Sequence, residues 1–278
     1  MSNLRIIYNN VADDYSDLSM VSGVGATGYP LTFFTNDNKS KTWRSTNLST
    51  QRIKVTWASA QSISGVALAY TNLIQGSTFS VTLYSAASGG TTLYSSGAMS
   101  VGAGYSIPRG FTSIGAASFA YGGGANVAAF FGVTANVLRM EIELTSPSNP
   151  DNYIEIGRLI AGQYITTERD VAEGANVGFI DSTTSKRTSS GNYITDRGTI
   201  SRSLDFNLNA FNASDKSILN NLFRSVGRSQ PIYASIVPTG TVNEDQLATQ
   251  IYGKLDQDLV INYPYYQRYN ASLRIVEL

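Results

Sequence analysis

The sequence predicts an all-β protein with two domains, residues 1–164 and 165–278, and one short helix. Three observations carry this. Apolar side chains alternate at strand period through most of the chain. Charged residues make up only 14% against 42% hydrophobic ones, well below the roughly 25% charge of an ordinary soluble domain, and Ser, Thr, Asn, Gly and 17 Tyr fill the difference. The composition also changes near residues 162–170. So weakly charged a surface suits a protein that buries much of it against partners, and a sticky binding module has the same composition.

Within 52–57, Ile53, Val55 and Trp57 share a face; within 78–84, Phe79, Val81 and Leu83 do. In 137–144, Leu138, Met140, Ile142 and Leu144 alternate with Arg139, Glu141 and Glu143, so one face packs on a core and the other meets water. Residues 97–132, rich in Gly, Ala and Ser, read as long loops between strands. A second alternating set follows the boundary, with Leu204, Phe206 and Leu208 on one face. The helix comes next: Ile218, Leu219, Leu222, Phe223 and Val226 recur at helical spacing. Asn212 or Ser214 caps its start, Asp215 suits its positive end, and Gly227 stops it. Strands near 232–237, 250–255 and 268–276 complete this domain. The polar, basic-tinged segment 181–198, with a turn at Ser190-Gly191-Asn192, is a projecting hairpin or a plain loop.

Formal net charge is zero, and the balance holds in each half. No basic stripe exists to neutralise phosphates, which argues against nucleic-acid binding. The chain has no cysteine and no histidine. That removes disulfides, thiolate chemistry, the usual general base near neutral pH and the commonest zinc ligand. No signal-peptide pattern opens the sequence, and the most apolar stretch, 127–133, is too short to span a bilayer. The expectation is a product made and kept in the cytoplasm without membrane insertion.

No cofactor motif survives inspection. Gly102-Ala-Gly104 lacks the third glycine of a dinucleotide fingerprint. Glu141 and Glu143 lie about 7 Å apart on one strand face, which fits a glycosidase pair on spacing alone, but they sit on the solvated side. No catalytic residue is assigned. Tyr29, Phe33, Phe34, Tyr105 and Phe111 fall in loops and are candidates for stacking on sugar rings. Tyr263, Tyr265 and Tyr266 form a dense cluster that reads as strand-end packing or a subunit contact.

Two resemblances join these readings. The stretch Asn36-Asp-Asn-Lys-Ser-Lys-Thr-Trp43-Arg-Ser, the strand Ile53-Lys-Val-Thr-Trp57, Ile63-Ser-Gly-Val-Ala-Leu68, and the late pair Val137-Leu-Arg-Met-Glu-Ile142 and Tyr153-Ile-Glu-Ile-Gly-Arg-Leu159 resemble the discoidin-type, galactose-binding-like jelly roll. That implies a jelly-roll β-sandwich over 1–164, with Asp37 a weak calcium candidate. The strand ending Leu204-Asp-Phe-Asn-Leu208, the helix opening Asn212-Ala-Ser-Asp-Lys216, and Gly227-Arg-Ser-Gln-Pro231 leading into Ile232-Tyr-Ala-Ser-Ile-Val-Pro238 resemble the hub domain of distal tail and minor tail proteins of long-tailed bacteriophages. That implies a β-sandwich or split-barrel domain over 165–278. It also implies a structural role in a tail tip or baseplate, other tail proteins as partners, and a homo-oligomeric ring of about six copies or a trimer. The site is then the virion tail. Lys186, Arg187, Tyr193 and Arg197 of the polar segment join the three tyrosines as interface candidates. The domain order is reversed relative to many distal tail proteins. The alternative function is a stand-alone carbohydrate-binding protein, with a host surface glycan as ligand.

Overall fold

The computed structural model describes residues 4–74, 76–101, 125–238 and 249–278. In chain order the strands are β1 (Arg5–Ile7), β2 (Asp17–Ser22), β3 (Trp43–Arg44), β4 (Gln51–Thr71), β5 (Ser77–Tyr84), β6 (Thr92–Ser95), β7 (Met99–Val101), β8 (Ala125–Thr145) and β9 (Glu155–Gly162). They continue with β10 (Tyr164–Ile165), β11 (Asn176–Asp181), β12 (Thr184–Arg187), β13 (Tyr193–Asp196) and β14 (Ile200–Phe211). Helix α1 (Ala213–Val226) precedes β15 (Ile232–Ser235), β16 (Gln250–Leu255), β17 (Ile261–Tyr265) and β18 (Arg268–Glu277). The fold is all-β with this single α-helix among the described residues.

The first half is a jelly-roll β-sandwich whose strands run β3-β9-β4-β8-β5-β6, with β2 on β4 and β7 on β5. Strands β4 and β8 are each 21 residues long. A straight strand of that length would run on the order of 70 Å, so both must bend. Their shared ladder shifts register repeatedly between Thr56 and Gly65, and Asn136 takes a positive φ of 60°. The first part of β4 therefore pairs with β2, and the last part with β9. The alternating faces expected from sequence meet inside, with Ile53, Val55, Phe79, Val81, Leu83, Met140, Ile142 and Leu144 sharing one core with Trp43 and Trp57. Leu138, expected on that face, is only half-buried, and Val137 takes the core position where β8 shifts register. The buried Trp57 indole N–H donates to the Val11 carbonyl at 2.7 Å, so its polar atom carries no penalty.

The second sheet runs β10-β1-β15-β16-β18-β14-β11, with β17 on β18. One face packs on α1 through Leu204, Phe206, Leu208, Leu273 and Ile275 against Leu219, Leu222 and Val226. Asn212 caps the helix, its Oδ1 accepting from the Asp215 N–H at 2.8 Å, and Gly227 ends it with φ 52°. At the β1-β15-β16 end the other face lies on the jelly roll. There Ile7, Tyr233 and Tyr252 pack with Ala67, Ala69, Tyr70, Ala128 and Ile160 in a buried seam.

Two features differ from a simple reading along the chain. Strand Arg5–Ile7, in the first stretch of chain, pairs with Tyr233–Ser235 on one side and with Tyr164–Ile165 on the other. The stretch 97–132 is not all loop, since β7 and the start of β8 lie in it. Val127, Ala129 and Phe131 are buried in the jelly-roll core.

Candidate functional site

The segment 181–198 is a hairpin. The β11–β14 ladder runs out to the Asp181–Ile200 pair, the Ser182 N–H donates to the Thr199 carbonyl at 3.0 Å, and β12 then pairs with β13 from Thr184–Asp196 to Arg187–Tyr193. Gly191, at φ 87°, makes the turn at the tip, a conformation that a residue with a Cβ adopts only under strain. The result is a two-stranded arm that prolongs the edge of the second sheet. Every residue of β12 and β13 is exposed, and a hairpin alone in water is marginal. Lys186, Arg187 and Tyr193 lie on this arm and Arg197 just after it, all exposed. The Arg187 guanidinium sits 5.4 Å from the Tyr193 ring centroid.

Beside the arm, β11 has no strand on its outer side among the described residues. Protected edges carry Pro or Lys; β11 carries neither. It exposes Val177 and, at 68%, Phe179, while the arm adds Tyr193 and Ile194. Sequence reading missed Val177, Phe179 and Ile194. In β11 Val177 and Phe179 lie exposed, whereas Gly178 and Ile180 on the other face are half-buried.

The three tyrosines form a second surface. Tyr263 stands edge-on to Tyr269 at 5.0 Å, with the Lys216 ammonium 4.5 Å from the Tyr269 ring. Tyr265 and Tyr266 are 76% and 90% exposed. Ala271 of β18 pairs with Ile261 of β17 and with Leu208 of β14. The spatial order is therefore β17-β18-β14-β11, which puts the tyrosine ridge and the arm on opposite edges of one sheet.

The loop aromatics do not converge. Phe34 is fully buried and packs edge-on against Trp43 at 5.7 Å; it is a core residue and offers no ring to a ligand. Tyr29 is half-buried, with the Arg44 guanidinium 4.3 Å from its ring and donating to its hydroxyl at 3.1 Å. Phe33 keeps part of its ring exposed. Tyr105 and Phe111 lie outside the described residues.

Asp37 faces the seam, and among the described residues it joins no group of three or more potential metal ligands. Its Oδ1 accepts from the Tyr252 hydroxyl at 2.6 Å and lies 3.0 Å from Arg158 Nε. Arg158 also grips Asp13 through two bonds of 2.7 and 2.6 Å. A guanidinium thus holds the place where a cation would sit against this carboxylate. Glu143 pairs with Arg52, and Glu141 with Arg139 at 3.3 Å, so both carboxylates have cationic partners.

No family model matches the chain, and no curated protein does. Among solved structures, the chain is similar to the CBM32 of AlyQ in complex with 4,5-unsaturated mannuronic acid, at 20% identity and TM-score 0.34, over 53% of this chain and 95% of that one. It is also similar to chitosan-binding module 1 of a chitosanase/glucanase from Paenibacillus sp. IK-5, at 14% identity and TM-score 0.36, over 55% and 98%. A third is CBM32-1 of a family 31 glycoside hydrolase from Clostridium perfringens, at 9% identity and TM-score 0.35, over 56% and 99%.

Proposed function

We propose that this chain is a structural subunit of a bacteriophage tail tip or baseplate, joining copies of itself into a ring and docking other tail proteins. The observation that carries the reading is the placement of two exposed apolar surfaces, the arm with β11 and the tyrosine ridge, on opposite edges of the second sheet. Unlike patches on opposite edges suit head-to-tail contacts, and such contacts that close give cyclic rings. A threefold or sixfold ring fits the bacteriophage resemblance, with the virion tail as location and assembly in the host cytoplasm. The role is non-catalytic and needs no cofactor. Deleting 184–195 tests it. Native mass spectrometry of concentrated protein should show self-association lost while the jelly-roll core still melts as before; unchanged oligomers would remove the arm from the interface.

The second reading is a carbohydrate-binding protein, the class to which the modules named above belong. The feature of this molecule that favours it is a polar cleft where the jelly roll meets the second sheet.

A further inference from the structure

We propose that the cleft at the seam of the two halves is a binding site for an acidic saccharide, recognised by Lys39 through the sugar's carboxylate and by Glu155 through an adjacent hydroxyl. The inference goes beyond the assembly role and rests on the carbohydrate-binding reading.

The cleft has a volume of about 650 Å3, with Lys39, Thr42, Arg44 and Glu155 on the jelly-roll side and Ile200 and Ser201 on the other. That size suits one or two sugar rings. Glu155 is fully buried. Its Oε1 takes the Thr42 hydroxyl and lies 3.1 Å from Arg44 Nε, whereas its Oε2 has no hydrogen-bond partner. A buried carboxylate oxygen left unpaired is costly, and a donor brought by a ligand removes that cost.

Lys39 supplies the opposite need. Its ammonium lies 4.7 Å from the Tyr70 ring centroid and has no ion pair or hydrogen bond among the described residues. Burial pulls its pKa below that of a free lysine, with Glu277 opposing the shift. Of the other side-chain charges lining the cleft, Arg44 pairs with Glu155 and Asp37 with Arg158; Leu278 also lines it, and Glu277 acts on Lys39 from nearby. Among the cleft's described side chains, the Lys39 ammonium and Glu155 Oε2 are left without a hydrogen-bond partner. A carboxylate next to a hydroxyl complements both, and a neutral sugar complements only the acceptor.

The test uses the full chain and saturation-transfer NMR, with D-glucuronate, D-galacturonate and N-acetylneuraminate, each against a neutral sugar of the same ring. At least one acid should bind more strongly than its neutral counterpart. Lys39→Met, which keeps the stem over Tyr70, should weaken that binding about tenfold or more. Ser201→Trp, which fills the cleft from the other sheet, should abolish it with the melt unchanged. No binding by any acid overturns the proposal, as does binding that both variants leave intact. Equal binding of acid and neutral sugars, insensitive to both substitutions, removes this site but leaves a carbohydrate-binding role elsewhere standing.

Discussion

Arg158 of β9 and Tyr252 of β16 join the two sheets through a hydrogen bond of 3.1 Å from the guanidinium Nε to the phenol oxygen. The Tyr252 hydroxyl in turn donates to Asp37 Oδ1 at 2.6 Å, and Arg158 also donates to the Phe34 carbonyl at 3.0 Å. Burial, the main influence, holds the Tyr252 phenol protonated well above the ordinary tyrosine range. The Tyr70 hydroxyl completes the seam by donating to the Tyr252 carbonyl at 3.1 Å.

Replacing Arg158 with Met should therefore loosen the seam. Removing one partner of a buried pair costs several kcal/mol when the other stays buried. Here Asp13 and Asp37 keep more than a third of their side-chain surface and can rehydrate. The expected loss is about 1–3 kcal/mol by urea denaturation. No loss would mean that the network contributes geometry without stability.

The same seam bears on truncation. A fragment ending at residue 164 lacks Tyr233–Ser235, so β1 loses its main partner, and Ala67, Tyr70 and Ile160 lose their cover. It should melt well below the full chain and bind a hydrophobic dye in calorimetry and fluorescence experiments. A fragment as stable as the whole protein would show that the seam is only a contact between independent domains.

This feature was illegible in the sequence for a physical reason. Three residues, Arg5–Ile7, are too few to display a period, and their partners lie at the far end of the chain. By contrast, β5 alternated cleanly because one of its faces is core. The helix ends were readable because Asn212 and Gly227 act through local hydrogen bonds and backbone conformation. Phe33 and Phe34 looked alike in sequence; only the packing of Trp43 shows which of them the core takes. The arm was recognisable as polar and turn-containing, but its strand pairing depends on a ladder begun by β11 and β14.

Gly162 marks the point where the chain leaves the jelly roll. A Cβ there would stand 2.3 Å from the Asn9 carbonyl oxygen, a backbone atom that cannot swing aside. Gly162→Ala should cost about 1–3 kcal/mol. A melt within error of the parent would mean that this crossing has room to relax.

Lys39 gives a pH signature. Its folded-state pKa is depressed, chiefly by burial, so between that value and the ordinary 10.5 the unfolded chain binds more protons. Stability from this group therefore rises with pH across that window. Comparing urea denaturation of the parent with Lys39→Met through the alkaline range should show the rise in the parent and its loss in the variant. Parallel curves would mean that Lys39 keeps its hydration.

The most direct measurement is an electron-microscopic reconstruction of the tail assembly in which the proposed role would place this chain. The account predicts a closed ring in which β11 and the 184–195 arm of one copy meet the next, with the second sheet nearer the axis than the jelly roll. A chain absent from the axial region, or attached there solely through the jelly roll with its arm free in solvent, would contradict it.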